Sequence, residues 1–187
     1  MTQEQAWATV KSGYAYRAQT PDEVSFRTDL VRFPSGREGS YVYAEYPFEV
    51  CFTLPVLDDG RLLLIRQYRY PIKKEIIQLP AGSPLPNESL ADCAIRETEE
   101  ETGLRPISVT HVLDFYPSPG SADMKGHLFI ARGLVDSDRP RDPDEPTEPF
   151  LVQHHQAIEL VRQGQIQEAA TVMAIILLDR PELTPQP

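Results

Sequence analysis

Three glutamates close together in the chain, Glu97, Glu100 and Glu101, are the side chains whose types and spacing best suit joint chemistry. On a helix, the spacing i, i+3 and i+4 places three carboxylates on one face within a single turn. Like charges this close repel each other, and the macrodipole disfavours anions near the C-terminal end of a helix. A bound cation removes both penalties. Because carboxylate oxygens are hard ligands, the pattern predicts a Mg²⁺ or Mn²⁺ site.

The residues before and after these glutamates predict the helix that positions them. Asn87 or Ser89 can cap its start, and Gly103 can end it. Between them, apolar or small side chains recur at three- and four-residue spacings at Leu90, Ala91, Ala94, Ile95 and Thr98. An alternative interpretation of the same run is a solvated, glutamate-rich helix face that binds nothing.

Residues 82–104 resemble the signature of the Nudix hydrolases. That signature is a glycine, five residues, a glutamate, seven residues, Arg-Glu, an aliphatic residue, any residue, Glu-Glu, any residue, a glycine and an aliphatic residue. The matching residues are Gly82, Glu88, Arg96, Glu97, Glu100, Glu101, Gly103 and Leu104. Thr98 departs from the pattern, because it stands where an aliphatic residue is expected. This departure affects helix packing and no metal ligand.

The resemblance implies a fold and a set of metal ligands. The family fold is an α/β/α sandwich, in which a mixed sheet lies between helices. By the same resemblance, Glu97 and Glu101 are the principal Mg²⁺ ligands, with Mn²⁺ as the other candidate ion. Glu100 is a further or bridging ligand, and the backbone carbonyl of Ala81 lies beside them. Glu101 also counts among the catalytic residues.

Segments outside the signature are similar to the ADP-ribose pyrophosphatase subgroup. They are Gln67-Tyr68-Arg69, the Leu79-Pro80-Ala81-Gly82 stretch, and Tyr116-Pro117-Ser118-Pro119-Gly120. A later likeness, around residues 164–180, extends the resemblance over roughly residues 47–180. The subgroup implies cleavage of a sugar nucleotide.

Four residues are expected to contact the substrate on this basis: Arg66, Arg69, Gly120 and Asp123. A guanidinium group can contact a phosphate through two N–H groups, which suits Arg69 to the diphosphate. The alternative is that both arginines are solvated strand residues. Gln78 and Met124 stand where the subgroup often carries a glutamate, so these two departures weaken the transfer of its substrate.

The acidic, proline-rich segment 136–148 is expected to be a mobile loop. Glu145 and Glu148 match the Glu-x-x-Glu spacing of a subgroup loop that supplies the general base. A carboxylate whose pKa is raised by neighbouring negative charge can deprotonate water near neutral pH. We favour Glu145, since Glu148 adjoins the next strand. The alternative is a solvated acidic loop without a catalytic role.

The composition excludes several classes of protein. The 187 residues are 41% hydrophobic and 25% charged, and the formal net charge is −10. This charge argues against nucleic acid as a partner, because phosphate backbones attract basic surfaces. No apolar run reaches the length of about 18 residues that a membrane span needs. We therefore expect no membrane partner and a cytoplasmic location, with Cys51 and Cys93 as buried apolar residues.

The order of predicted elements indicates an α/β protein of one main domain. Residues 1–46 form an N-terminal extension containing a β-hairpin, interpreted as dimerisation strands of a homodimer; residues 47–180 form the Nudix domain, and residues 181–187 a disordered tail. His111 is interpreted as a residue on the polar face of a strand. Residues 154–163 and 168–178 are predicted helices, the second of them buried.

The expected function is Mg²⁺-dependent hydrolysis of a diphosphate in a nucleoside diphosphate-linked compound, a small-molecule nucleotide. ADP-ribose, giving AMP and ribose 5-phosphate, is the first choice. One alternative is a catalytically weak or inactive regulator that binds a nucleotide with the same fold. The other is a structural dimer in which the glutamates are only a solvated face.

Overall fold

The chain divides into two compact units. The N-terminal unit comprises residues 1–49 and 116–125, and the C-terminal unit comprises residues 50–115 and 126–187. The structure, a computed structural model, describes residues 7–20, 23–139, 141, 145–178 and 180. The predicted tail at 181–187 lies outside the described residues.

The N-terminal unit contains a four-stranded antiparallel sheet. Its strands are β1 (Ala8–Lys11), β2 (Tyr14–Tyr16), β3 (Ser25–Arg32) and β4 (Glu38–Glu45). The predicted hairpin is present as β3 and β4, which pair from Ser25↔Glu45 to Arg32↔Glu38. Strands β1 and β2 pair with β3 and were not predicted. They are short and every residue in them is exposed, so they carry no alternation of buried and exposed side chains.

Within its described residues, the C-terminal unit contains two sheets, three α-helices and a short 3-10 helix at Tyr70–Ile72. Its strands are β5 (Val50–Pro55), β6 (Arg61–Arg69), β7 (Lys74–Gln78), β8 (Ala81–Gly82), β9 (Leu104–Phe115), β10 (Gly126–Asp136) and β11 (Thr147–Gln153); its helices are α1 (Leu90–Thr102), α2 (His154–Arg162) and α3 (Ala169–Leu178). One sheet has the order β8-β5-β10-β9 and the other β11-β6-β7. The first is mixed, because β5 and β10 are parallel while the other pairs are antiparallel.

Alternation along β5 places this mixed sheet between two apolar layers. Cys51 packs in a cluster with Cys93 and Ala94 of α1, whereas Leu54 belongs to the main core. That core also takes residues from β6, β11, α2 and α3. Successive strand residues point to opposite faces, so α1 covers one face of the sheet and the second sheet with α2 and α3 covers the other. The predicted α/β/α sandwich with a mixed sheet is confirmed.

Helix α1 begins and ends as its sequence predicted. The Ser89 side chain caps the start by accepting the backbone N–H of Asp92. Gly103 ends the helix in the left-handed conformation with φ +77°, which glycine adopts without strain. Thr98 is fully buried, and its hydroxyl donates to the Ala94 carbonyl at 2.7 Å. The residue that departs from the signature therefore packs against the sheet with its polar group satisfied.

The last two helices complete the core. The apolar pattern at 168–178 is present as α3, which buries Ala170, Thr171, Ala174 and Ile175. Both cysteines are free and buried, as expected. None of the described helices is long and apolar enough to cross a membrane.

Candidate active site

Glu101 is held at the centre of the candidate site by the start of β8. Glu101 is only 7% exposed, and its Oε2 accepts a hydrogen bond from the Ala81 backbone N–H at 2.9 Å. Ala81 is fixed in turn by pairing with Phe52 of β5. The mixed sheet therefore fixes the position of the Glu101 carboxylate. A metal-ligand role for the Ala81 carbonyl stays a prediction.

Gly82 makes room for the Glu97 carboxyl group. A Cβ built on Gly82 would lie 2.1 Å from both Cδ and Oε1 of Glu97. Real Cβ atoms do not approach other atoms this closely, so any residue other than glycine displaces the carboxylate. The signature glycine is therefore required by the position of the glutamate.

Arg96 joins the loop before the helix to two of the three glutamates. It donates to both carboxylate oxygens of Glu88 at 2.8 Å and to the Ser83 carbonyl at 2.9 Å. Its Nη1 donates to Glu97 at 2.6 Å and to Glu100 at 2.9 Å. Arg96 thus braces the loop and spreads one positive charge over the acidic face.

The electrostatics of the glutamates suit a divalent cation. Burial, with the negative charges of Glu97 and Glu145, raises the pKa of Glu101 to about 8, although the Ala81 N–H and the charge of Arg69 lower it. Burial also raises the pKa of Glu97, helped by the charges of Glu100 and Glu145, although the hydrogen bond and the charge of Arg96 lower it. A buried and a partly buried carboxylate that both resist ionisation are stabilised by a hard cation, so the residues fit the predicted ion. Such an ion has to compete with Arg96 for the oxygens of Glu97 and Glu100.

A polar chain on β6 and β7 positions Arg69. The Arg69 Nε donates to Gln78 Oε1 at 2.9 Å, and the Gln78 amide donates to Gln67 Oε1 at 3.0 Å. Gln67 and Gln78 are both buried. The glutamine at 78, a departure from the subgroup pattern, is therefore the partner that orients Arg69. Arg66 lies with its guanidinium carbon 4.7 Å from the centre of the Phe150 ring.

The C-terminal end of α1 has contacts with later residues that the sequence did not predict. The Arg141 guanidinium and the Thr147 hydroxyl each donate to the Glu101 carbonyl at 2.6 Å. Arg139 forms an ion pair with Glu100, and the Ser137 hydroxyl donates to Glu99 at 2.5 Å. No periodicity links residues about forty positions apart, so sequence patterns carry no signal for them.

The two candidates for the general base have different surroundings. Glu145 is exposed and close enough for its charge to raise the pKa of both Glu97 and Glu101. Glu148 lies on β11 directly opposite Arg66 of β6. Glu145 is therefore the one whose charge is coupled to the acidic cluster.

Gly120 and Asp123 lie in the N-terminal unit. The Gly120 carbonyl accepts the Tyr41 hydroxyl at 2.8 Å, and Asp123 Oδ1 accepts the Tyr46 backbone N–H at 2.7 Å. Both residues line a cavity of about 360 Å³ whose walls include Tyr41, Tyr43 and Tyr116. Aromatic walls with a few polar groups are typical of small-molecule sites. Contact with the substrate stays a prediction.

Comparison with known proteins identifies the family. A model of the NUDIX domain matches residues 47–174. The ADP-ribose pyrophosphatase of Bacillus subtilis (strain 168) is 34% identical over 154 residues, covering 81% of this chain and 83% of that protein. The methanol dehydrogenase activator of Bacillus methanolicus is 29% identical over 161 residues, covering 85% and 86%. A solved structure described as "Crystal structure of ADP compounds hydrolase" shares the fold, with a TM-score of 0.83, 22% identity, and coverage of 94% of this chain and 93% of that chain. The chain therefore belongs to the Nudix family and is a Nudix hydrolase.

Proposed function

We propose that this Nudix hydrolase cleaves ADP-ribose to AMP and ribose 5-phosphate. Its family and its similarity to an ADP-ribose pyrophosphatase make it a pyrophosphohydrolase of nucleoside diphosphate-linked compounds. ADP-ribose is the substrate that we propose within this class. One observation carries the proposal. This chain is 34% identical, over 81% of its length, to an ADP-ribose pyrophosphatase. The charges of Glu97, Glu145 and Arg69 all act on the buried Glu101 carboxylate, which is consistent with that activity.

We propose Mg²⁺, or Mn²⁺ in its place, as the ion held by Glu97, Glu100 and Glu101. When bound, it neutralises diphosphate oxygens and makes the phosphorus more electrophilic. The protein's part is to hold three carboxylates in place before the ion arrives, through the Ala81 N–H, Arg96 and the space left by Gly82. This preorganisation lowers the cost of assembling the site.

Arg69 is the proposed contact to the diphosphate. Its Nε is occupied by Gln78, so the terminal guanidinium nitrogens face away from that bond and can donate to phosphate oxygens. Arg66 is proposed as a second contact, stacked on Phe150. Gly120 and Asp123 are proposed to contact the nucleotide from the aromatic cavity in their own unit.

Glu145 is the proposed general base. It is exposed, so water can reach it, and its charge acts on Glu97 and Glu101. It would accept a proton from the water that attacks in line with the leaving phosphate. Glu148 is the second candidate, and its position opposite Arg66 favours a role in holding that arginine.

We also propose a cytoplasmic homodimer. Two free cysteines suit a reducing compartment. One face of the N-terminal sheet exposes the side chains of Tyr16, Phe26 and Val42, since Tyr16 pairs with Phe26 and Val42 pairs with Thr28, two residues further along β3. Exposed apolar patches of this kind mark protein interfaces, and a second copy of the chain is the proposed occupant.

The test is a product analysis with Mg²⁺ and a panel of ADP-ribose, other sugar nucleotides, dinucleotides and nucleoside triphosphates. We expect AMP and ribose 5-phosphate from ADP-ribose. Loss of a metal ligand in Glu97→Gln should lower kcat by roughly 100-fold or more, since each factor of ten is about 1.4 kcal/mol. Glu75→Gln, an exposed glutamate on β7, is the matched control. Arg69→Ala should mainly raise KM, by about tenfold.

Three outcomes would overturn this assignment. Pyrophosphate released from triphosphates, with ADP-ribose left intact, would contradict the substrate. Tight binding of a nucleotide without any product in Mg²⁺ would support the regulator instead. A melting temperature unaffected by millimolar Mg²⁺, together with a neutral or stabilising effect of Glu97→Gln, would support a structural dimer with a solvated acidic face.

A further inference from the structure

A bulge in the β9–β10 ladder brings two histidines and an aspartate to one face of the mixed sheet. Asp114 lies opposite His127 and His111 lies opposite Phe129, while Val112 is the extra residue between them. Residues directly opposite in an antiparallel pair project to the same face. In a regular strand, residues 111 and 114 would point to opposite faces, so the bulge is what turns His111 toward Asp114.

The three side chains converge on a single oxygen. His111 Nε2 and His127 Nδ1 each lie 2.8 Å from Asp114 Oδ1, and the ligand atoms of all three lie within 4.8 Å of one another. The His127 side chain is 2% exposed, whereas those of His111 and Asp114 are 46% and 42% exposed. The cluster is therefore anchored in the sheet at one end and open to solvent at the other.

We propose that His111, Asp114 and His127 form a binding site for a borderline transition metal, with Zn²⁺ as the ion. Two imidazole nitrogens and one carboxylate oxygen are a donor set that Zn²⁺ accepts, with water in the fourth position. The metal would take the place of the two N–H protons that now point at the same oxygen. The His111 ring is further oriented by an edge contact with Phe129, at 5.3 Å between ring centres.

This site differs from the glutamate site in residues and in chemistry. None of its three side chains belongs to the stretch 82–104 that carries the Nudix signature. The glutamates offer oxygen ligands only, which suit Mg²⁺, whereas imidazole nitrogen favours Zn²⁺ over Mg²⁺. Saturating Mg²⁺ can therefore occupy the glutamates while Zn²⁺ is measured at the histidines.

The test is titration of the metal-free full chain with Zn²⁺, and separately with Co²⁺, in a large excess of Mg²⁺. We expect one high-affinity ion per chain by calorimetry and, with Co²⁺, visible absorption of the intensity given by four-coordinate sites. His111→Gln should weaken the binding of both ions by at least roughly 100-fold, and Asp114→Asn by at least roughly tenfold. His155→Gln, an exposed histidine at the start of α2, should bind like the unsubstituted chain.

His111 is chosen because it is half exposed, so its loss should leave the fold intact; an unchanged circular dichroism spectrum and melting temperature without metal check this. Equal Zn²⁺ affinity in the unsubstituted chain and His111→Gln would overturn the site. So would the absence of any Zn²⁺ binding, which would leave the three residues as a hydrogen-bonded cluster. Because the readout is metal binding, it is independent of whether ADP-ribose is the substrate.

Discussion

Replacing Gly82 with alanine should damage the active site by a purely steric route. The added Cβ would lie 2.1 Å from the Glu97 carboxyl group. An ordinary contact begins at about 3.4 Å, so Glu97 has to move by more than about 1 Å. Such a movement breaks the 2.6 Å bond from Arg96 to Glu97.

The size of the effect follows from these contacts. Overpacking costs about 1–3 kcal/mol, and loss of a hydrogen bond between charged groups costs about 1.5–3 kcal/mol. Because the side chain can relax partly toward solvent, we expect Gly82→Ala to lower the free energy of unfolding by about 2–3 kcal/mol. For a chain of this length that is a fall in Tm of roughly 4–12 °C. Displacing a metal ligand by about 1 Å should lower kcat by about 100-fold.

A double-mutant cycle separates the clash with Glu97 from any other effect of alanine at position 82 on the free energy of unfolding. Urea unfolding and steady-state hydrolysis are measured for Gly82→Ala, Glu97→Ala and the double variant. The three atoms nearest to the added Cβ all belong to the Glu97 carboxyl group, so Gly82→Ala should destabilise the Glu97→Ala chain much less than it destabilises the unsubstituted chain. Gly120→Ala is the matched control for stability, because a Cβ added at Gly120 has no heavy atom within 4 Å. Equal destabilisation with and without Glu97 would refute the reasoning.

Three further substitutions test the electrostatics and packing of the helix. Because burial raises the pKa of Glu101 from 4.5 to about 8, the stability of the unsubstituted chain should fall as pH rises through this range and level off above it. Urea unfolding in EDTA should therefore show Glu101→Gln gaining stability over the unsubstituted chain from pH 4.5 to pH 8, and an identical gain in the exposed Glu75→Gln would contradict this. Arg139→Ala removes the cation paired with Glu100, so calorimetry should show Mg²⁺ binding about two- to tenfold more tightly. An unchanged Mg²⁺ affinity would show that this ion pair does not compete with the metal. Thr98→Val exchanges a buried, bonded hydroxyl for a methyl group and should change the free energy of unfolding by less than about 1.5 kcal/mol, whereas a larger loss would show that the hydroxyl is required.

The parts of the site that the sequence predicted are those set by local contacts. Helix α1, its Ser89 cap and its Gly103 end depend on residues a few positions apart. The signature residues Glu88 and Arg96, which pair in the structure, are only eight positions apart. Periodicity and a fixed-spacing signature both report on this range, so they predicted the helix that carries Glu97, Glu100 and Glu101.

The remainder depends on contacts between distant segments. Arg141 and Thr147 reach the Glu101 carbonyl from 40 and 46 positions away. The alternation of side chains along a strand likewise does not predict where a bulge occurs. His111 was therefore interpreted as an ordinary residue on the polar face of a strand. Only the ladder register shows that the extra residue, Val112, turns it toward Asp114.

The contacts around the end of α1 link helix stability to catalysis. The last carbonyls of a helix need donors, and the negative end of its dipole favours cations. Arg141 and Thr147 satisfy the Glu101 carbonyl, and Arg139 pairs with Glu100. The segment between these donors also carries Glu145, the proposed base. Arg141 and Thr147 therefore join the C-terminal end of α1 to residues on either side of the proposed base, so loss of these two bonds should impair metal affinity and proton transfer together, whereas loss of the Arg139 cation alone should not.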